Sequence, residues 1–219
     1  MSVLSNLKDK LSEDFIKSVL TVMGGSTFSI VVPVISTLWL VRIYDAADDF
    51  TPFALFISFC ATLSALANSH YTTAILVADN ERESVTMLRL TLIINVIVAA
   101  AVSLLLVFVR LPLLGFLNAS PSFYYTVWLV PLTVLLMGIN AAFTQWAYRF
   151  RQFKRVAVNR MTQAMVTMIC QTVFGLWFQN IQGLITGYCI GQLIASGILA
   201  YRCLYNDRQL MQPVHRSEL

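Results

Sequence analysis

Positively charged residues are distributed very unevenly among the hydrophilic segments that separate six long apolar stretches of this sequence. Each stretch contains at least the roughly 20 residues that a helix needs to cross a hydrocarbon core of about 30 Å. If the stretches cross a membrane in turn, 13 of the 15 Lys and Arg residues lie on one side, and only Arg42 and Arg110 lie on the other. Because Lys and Arg concentrate in cytoplasmic segments, the sequence predicts an all-α integral membrane fold with six transmembrane helices and both termini in the cytoplasm. The predicted helices lie near residues 15–41, 52–78, 88–109, 124–147, 156–178 and 181–204.

The composition supports a membrane protein and argues against a soluble one. Hydrophobic residues make up 58% of the chain and charged residues 12%, whereas soluble domains are roughly 25% charged. The net charge of +4 is explained by the topology, so it does not indicate a nucleic-acid partner. It favours contact of the cytoplasmic side with anionic lipid of the bilayer. The four cysteines lack metal-ligand spacing, so the sequence predicts no disulfide framework, metal site or cofactor.

The predicted organisation is a single membrane domain with short flanking segments. A segment at residues 1–17 precedes a six-helix transmembrane lobe at 18–205, and a cytoplasmic tail occupies 206–219. In the first segment, Leu4, Leu7, Leu11 and Phe15 recur at helical spacing beside charged residues. This pattern is typical of an amphipathic helix that lies in the membrane interface, and a frayed polar tail is the alternative.

Two prolines lie within predicted transmembrane helices, Pro33 in the first and Pro131 in the fourth. Proline cannot donate a backbone hydrogen bond, and its ring clashes with the preceding turn. Each proline is therefore expected to bend its helix.

The fifth apolar stretch carries the clearest polar stripe. Arg160, Gln163, Thr167 and Gln171 follow one another at i, i+3, i+7 and i+11, which places them on one helical face. Such a face is costly to expose to lipid, so it must contact protein or water. The two interpretations are hydrogen bonding between helices and a hydrated cavity.

Two other stretches differ in polarity. The second ends in a polar run at 68–73, for which the same two interpretations apply. Beyond Thr91, the third is interrupted only by Asn95 and Ser103, so we expect it at the lipid-facing periphery of the bundle.

The sixth stretch carries small residues at a spacing of four. Gly183, Gly187, Gly191 and Ala195 form an extended GxxxG pattern. Small residues let the backbone of another helix approach closely, so this face is predicted to mediate helix packing.

Acidic residues are absent from the centres of all six stretches. A proton or Na⁺ relay built on buried carboxylates is therefore not indicated. The sequence also lacks clustered acids, a metal-ligand set, or a nucleophile paired with a base, so it does not predict an enzyme.

Three segments resemble a known family when taken in order. Arg-Ile-Tyr-Asp at 42–45, with Asp-Phe at 49–50 and Phe-Ala-Leu-Phe at 53–56, resembles the Arg-Leu-Tyr…Asp-Phe-Gly segment after the first helix of bacterial polysaccharide-biosynthesis flippases. The basic segment 148–160 is similar to that family's loop between helices four and five. Residues 183–193 resemble its sixth helix. The family belongs to the multidrug/oligosaccharidyl-lipid/polysaccharide exporter superfamily, and the resemblance covers about residues 15–203.

The resemblance implies a fold, a substrate and a partner. The chain would form one of two six-helix lobes around a central cavity in the bacterial inner membrane. The pair would translocate undecaprenyl-diphosphate-linked oligosaccharide for polysaccharide or O-antigen export, so a second six-helix lobe is expected. His70-Tyr71-Thr72 stands where family members often have Arg-Tyr-Glu, so ion coupling through that charge pair is not expected.

Candidate substrate contacts follow from the chemistry of this cargo. Fixed cations pair with phosphate, and amides hydrogen-bond sugar hydroxyls. Each arginine has an alternative role as an interfacial topology anchor. The candidates for the phosphate end are His70, Arg149 and Arg160, with Arg42 at the outer end, and the candidates for sugar contacts are Asn68, Asn140, Gln163 and Gln171.

Three alternative functions are open. A multidrug-type exporter of the same superfamily is disfavoured by the lack of a carboxylate within the helices. A non-transporting membrane assembly subunit could use the small-residue face of the sixth stretch. A membrane transferase is disfavoured by the missing catalytic set.

Overall fold

The computed structural model describes residues 23–24, 27–44, 49–68, 71–78, 80–116, 126–178 and 180–206. All the regular elements of these residues are helical, and the predicted amphipathic segment 1–17 lies outside them. The predicted tail also lies outside the described residues, except for its first residue. We number the helices α1 Thr27–Leu40, α2 Thr51–Asn68, α3 Tyr71–Val77, α4 Glu81–Phe116, α5 Leu129–Arg149, α6 Phe153–Phe178 and α7 Ile181–Asn206.

In the part of the chain that the structure describes, four helices are long and apolar enough to cross a membrane: α2, α4, α5 and α7. Large apolar side chains are widely exposed on the surface, including Phe108 at 73% and Trp177 at 78%. Such a surface suits lipid rather than water, which indicates a multi-pass membrane protein. The two other predicted spans differ from these four. Helix α1 is shorter over its described residues, and the polar stripe of α6 lowers its mean hydropathy.

Two buried clusters lie at opposite ends of α5. One joins Val130 and Val134 to apolar residues of α2, α4 and the start of α7. The other joins Phe143 and Trp146 to α3, the start of α4 and the end of α7. The long helices therefore pack antiparallel to their chain neighbours, as short connections require.

The connections of α6 are built by specific backbone contacts. At its start, Arg151 has a φ of 54°, its N–H donates to Tyr148 O at 3.0 Å, and Gln152 N–H donates to Ala147 O at 2.8 Å. These two bonds form a Schellman motif that ends α5. After α6, Asn180 Oδ1 accepts the N–H of Gln182 at 3.1 Å, which caps the start of α7.

The predicted second transmembrane helix contains two of the described helices, α2 and α3, and residues 69–70 between them lie outside the described residues. Two polar side chains near the ends of these helices bond to backbone carbonyls. Asn68 Nδ2 donates to Ser64 O at 2.8 Å, and Thr72 Oγ1 donates to Asn68 O at 2.9 Å. Both bonds run to the carbonyl four residues earlier, a local pattern that such side chains adopt in helices.

Pro131, which the sequence predicts to bend its helix, lies in the first turn of α5. A helical residue at this position would donate to the carbonyl of Val127. Proline has no N–H, and Val130 N–H donates to Val127 O instead, at 3.1 Å. The proline therefore sets the start of α5, where its missing donor costs least.

Helix α4 is peripheral on one face only. Its residues Ile97 and Phe108 are exposed, as expected for a lipid-facing helix. Asn95, however, is fully buried, and its Nδ2 donates to Asn68 Oδ1 at 3.0 Å. The polar interruption of this apolar stretch thus marks the face that packs against α2 and α5.

Candidate functional site

A cavity of about 400 Å³ lies between α1, the segment around the start of α2, and α6. Helix α1 contributes Ser29, Pro33 and Ser36 to one wall, and Tyr188 of α7 contributes part of another. The volume is in the range of about 300–1,000 Å³ that is typical of ligand pockets. This cavity is our candidate functional site.

The polar stripe predicted on α6 lines this cavity in full. Arg160, Gln163, Thr167 and Gln171 are all lining residues, whereas Ile169 on another face is 60% exposed. Gln171 also makes a hydrogen bond between helices, since its Nε2 donates to Leu184 O at 3.1 Å. Gln171 therefore combines a place on the cavity wall with a hydrogen bond between α6 and α7.

The α1 wall exposes little hydrogen-bonding capacity to the cavity. Ser36 Oγ donates to Val32 O at 2.7 Å, and Thr37 Oγ1 donates to Pro33 O at 2.8 Å. These hydroxyls therefore satisfy the α1 backbone rather than reaching across the cavity. Arg160 is the one formally charged residue among the described residues that line it.

Behind Gln163 lies an amide cluster that spans α5, α6 and α7. Gln163 Nε2 donates to Gln192 Oε1, Asn140 Nδ2 donates to Gln163 Oε1 at 3.4 Å, and Asn159 Nδ2 donates to Asn140 Oδ1 at 3.3 Å. Buried polar groups that satisfy one another fix side-chain positions. The cluster therefore orients Gln163 at the cavity wall.

Gln192 and Asn159 were not among the residues singled out from the sequence. The sequence spacing could have indicated Asn159, because it precedes Gln163 by one helical turn on the same face. Gln192 follows Gly191, and the close approach of α6 at that glycine brings the two glutamines together. This close approach arises from the packing of α6 against α7, so the spacing of residues along one helix does not reveal it.

Two of the predicted site residues lie elsewhere and have packing contacts. Arg149 Nη1 donates to the carbonyls of Ile75 at 3.2 Å, Leu76 at 3.3 Å and Ala78 at 2.6 Å, at the end of α3. Asn68 bonds with Asn95 between α2 and α4. Neither residue lines the cavity.

The three remaining candidate residues are Arg42, Asn140 and His70. Arg42 is exposed just after α1 and does not line the cavity. Asn140 reaches the site through Gln163 rather than by lining it. His70 lies outside the described residues.

The small-residue face of α7 packs against α6. A Cβ atom added at Gly187 would lie 2.7 Å from the backbone nitrogen of Gln171, and one at Gly191 would overlap the hydroxyl of Thr167. A Cβ atom at Gly183 would lie 3.1 Å from the backbone of Phe174. Larger residues would push α7 away from α6 and displace the cavity stripe.

The polar groups on the cavity wall are suited to hydrogen bonding and to pairing with an anion. Among the described residues, no group of three or more His, Cys, Asp or Glu side chains lies together. The cavity offers one guanidinium for an anion and neighbouring amides for hydroxyl groups. No protein-family model, curated protein or solved structure matches the chain.

Proposed function

We propose that this chain forms one lobe of a flippase that translocates lipid-linked oligosaccharide across the bacterial inner membrane. The cargo is an oligosaccharide on undecaprenyl diphosphate, used in polysaccharide or O-antigen export. The observation that carries the proposal is the position of Arg160 on a cavity wall whose other polar lining groups are amides and hydroxyls. The resemblance of three segments to polysaccharide flippases supports the same assignment.

Arg160 is suited to the diphosphate of such a cargo. It lies seven residues after the start of α6, which corresponds to roughly 10 Å along the helix axis. A guanidinium binds phosphate oxygens in a two-pronged geometry and stays charged when partly buried. Gln163, one turn further along the same face, would then meet the first sugar.

The size of the cavity favours a second lobe. A volume of about 400 Å³ is near the lower end of the range of roughly 300–1,000 Å³ for small-molecule sites. It accommodates the phosphate and an adjoining sugar rather than a whole oligosaccharide. We therefore propose that a second six-helix lobe provides the remaining wall, and that transport occurs by movement of the two lobes against each other.

In the proposed topology, the end of the cavity that takes up the cargo faces the cytoplasm. Arg151, Lys154 and Arg202 are exposed at the end of the bundle where α5 and α7 finish, and the positive-inside rule assigns that end to the cytoplasm. Arg160 is the cavity residue nearest to it along α6. Arg42, at the opposite end, would meet the phosphate after translocation.

The alternative of an assembly subunit is weakened by the packing of α7. Its small-residue face, which a partner would use, lies against α6 through Gly187 and Gly191. A multidrug-type exporter uses the same fold, and the absence of a carboxylate within the apolar stretches argues against it.

Complementation of a strain that lacks its polysaccharide flippase tests the proposal. The chain should restore export when it is co-expressed with a second lobe, and not when it is expressed alone. Arg160→Gln should reduce export by about 10-fold to 100-fold, because hydrogen bonds to a charged group contribute about 1.5–3 kcal/mol. Arg202→Gln, an exposed site on α7, is the matched control at equal abundance. Normal export by Arg160→Gln would overturn the role of this cavity, and export by the chain as a monomer would overturn the two-lobe proposal.

A further inference from the structure

The turn between α5 and α6 keeps an arginine where the backbone favours glycine. Arg151 occupies the residue after the C-cap of α5 with a φ of 54°, in the Schellman geometry described above. This left-handed conformation disfavours residues with a Cβ atom, and glycine is the usual choice. The side chain of Arg151 is exposed, so packing does not account for the choice of residue.

A second exposed cation, Lys154, follows three residues later in the first turn of α6. We call Arg151 and Lys154 the basic turn. The sequence has no Asp or Glu between Glu83 and Asp207, so α5, α6 and α7 contribute no acidic group that neutralises it. Arg155, in the first turn of α6, donates to Gln152 Oε1 at 2.5 Å.

Exposed aromatic rings lie at the same end of the bundle. Cys203 of α7 belongs to the buried cluster that contains Trp146, and Phe150, the residue before Arg151, packs against that cluster. Tyr201 and Tyr205 flank Cys203, are exposed, and stack with ring centroids 5.6 Å apart. Tyrosines with exposed rings are typical of the level of the lipid headgroups.

We propose that the basic turn docks on the phosphate groups of anionic phospholipids in the adjoining membrane leaflet. Three observations carry this inference: a cation kept in an unfavourable backbone conformation, a second exposed cation beside it, and an exposed aromatic pair at the same end of the bundle. The inference is independent of the transported cargo and of the proposed transport activity.

The test compares lipid binding with intrinsic stability, since the two respond to Arg151→Gly in opposite directions. Purified protein is titrated with short-chain phosphatidylglycerol in neutral detergent, and its thermal unfolding is recorded without the lipid. Arg151→Gly should lower the apparent lipid affinity about fivefold, because one basic residue near an anionic surface contributes about that factor. The same variant should unfold at an equal or higher temperature, because glycine relieves the backbone.

Further variants separate charge from structure. Lys154→Gln should also lower the affinity about fivefold, and the double variant about 25-fold if the two sites act independently. Arg82→Gln is the matched control, because Arg82 is exposed at the same end but lies between Glu81 and Glu83. Phosphatidylcholine should bind the wild type and the variants equally weakly.

Two results would overturn the inference. The first is a double variant whose phosphatidylglycerol affinity stays within twofold of the wild type. The second is competition by inorganic phosphate at the same concentration as the lipid, which would identify a site for free anions instead of a leaflet.

Discussion

The phenol of Tyr44 donates a 2.8 Å hydrogen bond to the backbone carbonyl of Gln171, which lies 127 residues later in the chain. The ring fits between α6 and α7 because two glycines leave room for it. A Cβ atom added at Gly175 would lie 2.6 Å from the ring, and one at Gly183 would lie 2.5 Å from the hydroxyl. Tyr44 therefore ties the segment after α1 to the two helices that carry the cavity stripe.

The first prediction concerns the strength of this link. Tyr44→Phe should lower the free energy of unfolding by about 0.5–1.5 kcal/mol, because it removes one buried hydrogen bond and retains the ring. Thermal unfolding in detergent measures the change. Tyr148→Phe, at the opposite end of the bundle with its ring tilted against that of Phe153, is the control and should have a smaller effect. Equal losses in the two variants would contradict a specific role for Tyr44.

The second prediction is the pH dependence of the same group. Burial, with a smaller contribution from the charge of Asp49, raises the pKa of the Tyr44 phenol above its ordinary value of 10.0. As the pH rises, the phenol therefore ionises first in the unfolded chain. Its contribution to stability is fully present below pH 10 and is lost progressively above it. We expect the unfolding temperature of the wild type to fall more steeply above pH 10 than that of Tyr44→Phe. Parallel curves would contradict the assignment.

The cavity stripe could be predicted from the sequence, whereas Tyr44 could not. The stripe residues share one helix, so a spacing of 3.6 residues is enough to place Arg160 and Gln171 on one face. The position of Tyr44 depends on how α1 meets a helix pair more than 100 residues away. Arg149 shows the same limit, since its charge suggested a ligand and its three carbonyl partners lie on another helix.

The third prediction tests the contact between α4 and α5 at Asn95 and Gly138. A methyl group at Gly138 would overlap Oδ1 of Asn95, which has no hydrogen-bond partner among the described residues. Gly138→Ala should destabilise the protein by about 1–3 kcal/mol through overpacking.

The chain offers a matched control for this substitution. Gly197 lies within α7, and a Cβ atom there would meet no atom within 4 Å. Gly197→Ala should stabilise the protein by up to about 1 kcal/mol through helix propensity. In an Asn95→Ala background, Gly138→Ala should lose most of its effect. Full destabilisation in that background would show that the clash lies elsewhere.

The fourth prediction concerns the end of α3. Arg149→Gln removes the guanidinium that donates to three carbonyls there, and should cost about 1.5–3 kcal/mol. Hydrogen exchange should accelerate at the backbone amides of α3 more than at those of α7, because the bonds hold α3 to α5. Arg202→Gln, exposed on α7, serves as the control. Unchanged hydrogen exchange in α3 would contradict a role of Arg149 in holding the end of α3 to α5.

The fifth prediction separates water-filled from lipid-facing surface on α6. Single cysteines at Gln163, Thr167 and Ile169 are compared in a protein whose four native cysteines are replaced, using a membrane-impermeant maleimide on bilayer-embedded protein. Positions 163 and 167 line the cavity, whereas Ile169 is 60% exposed on another face. The maleimide reacts with thiolate, which forms in water and not in hydrocarbon, so the cavity positions should react at least about tenfold faster. In detergent with a partly hydrated micelle surface, the difference should shrink. If position 169 reacts as fast as position 167 in the bilayer, the stripe does not face a hydrated cavity.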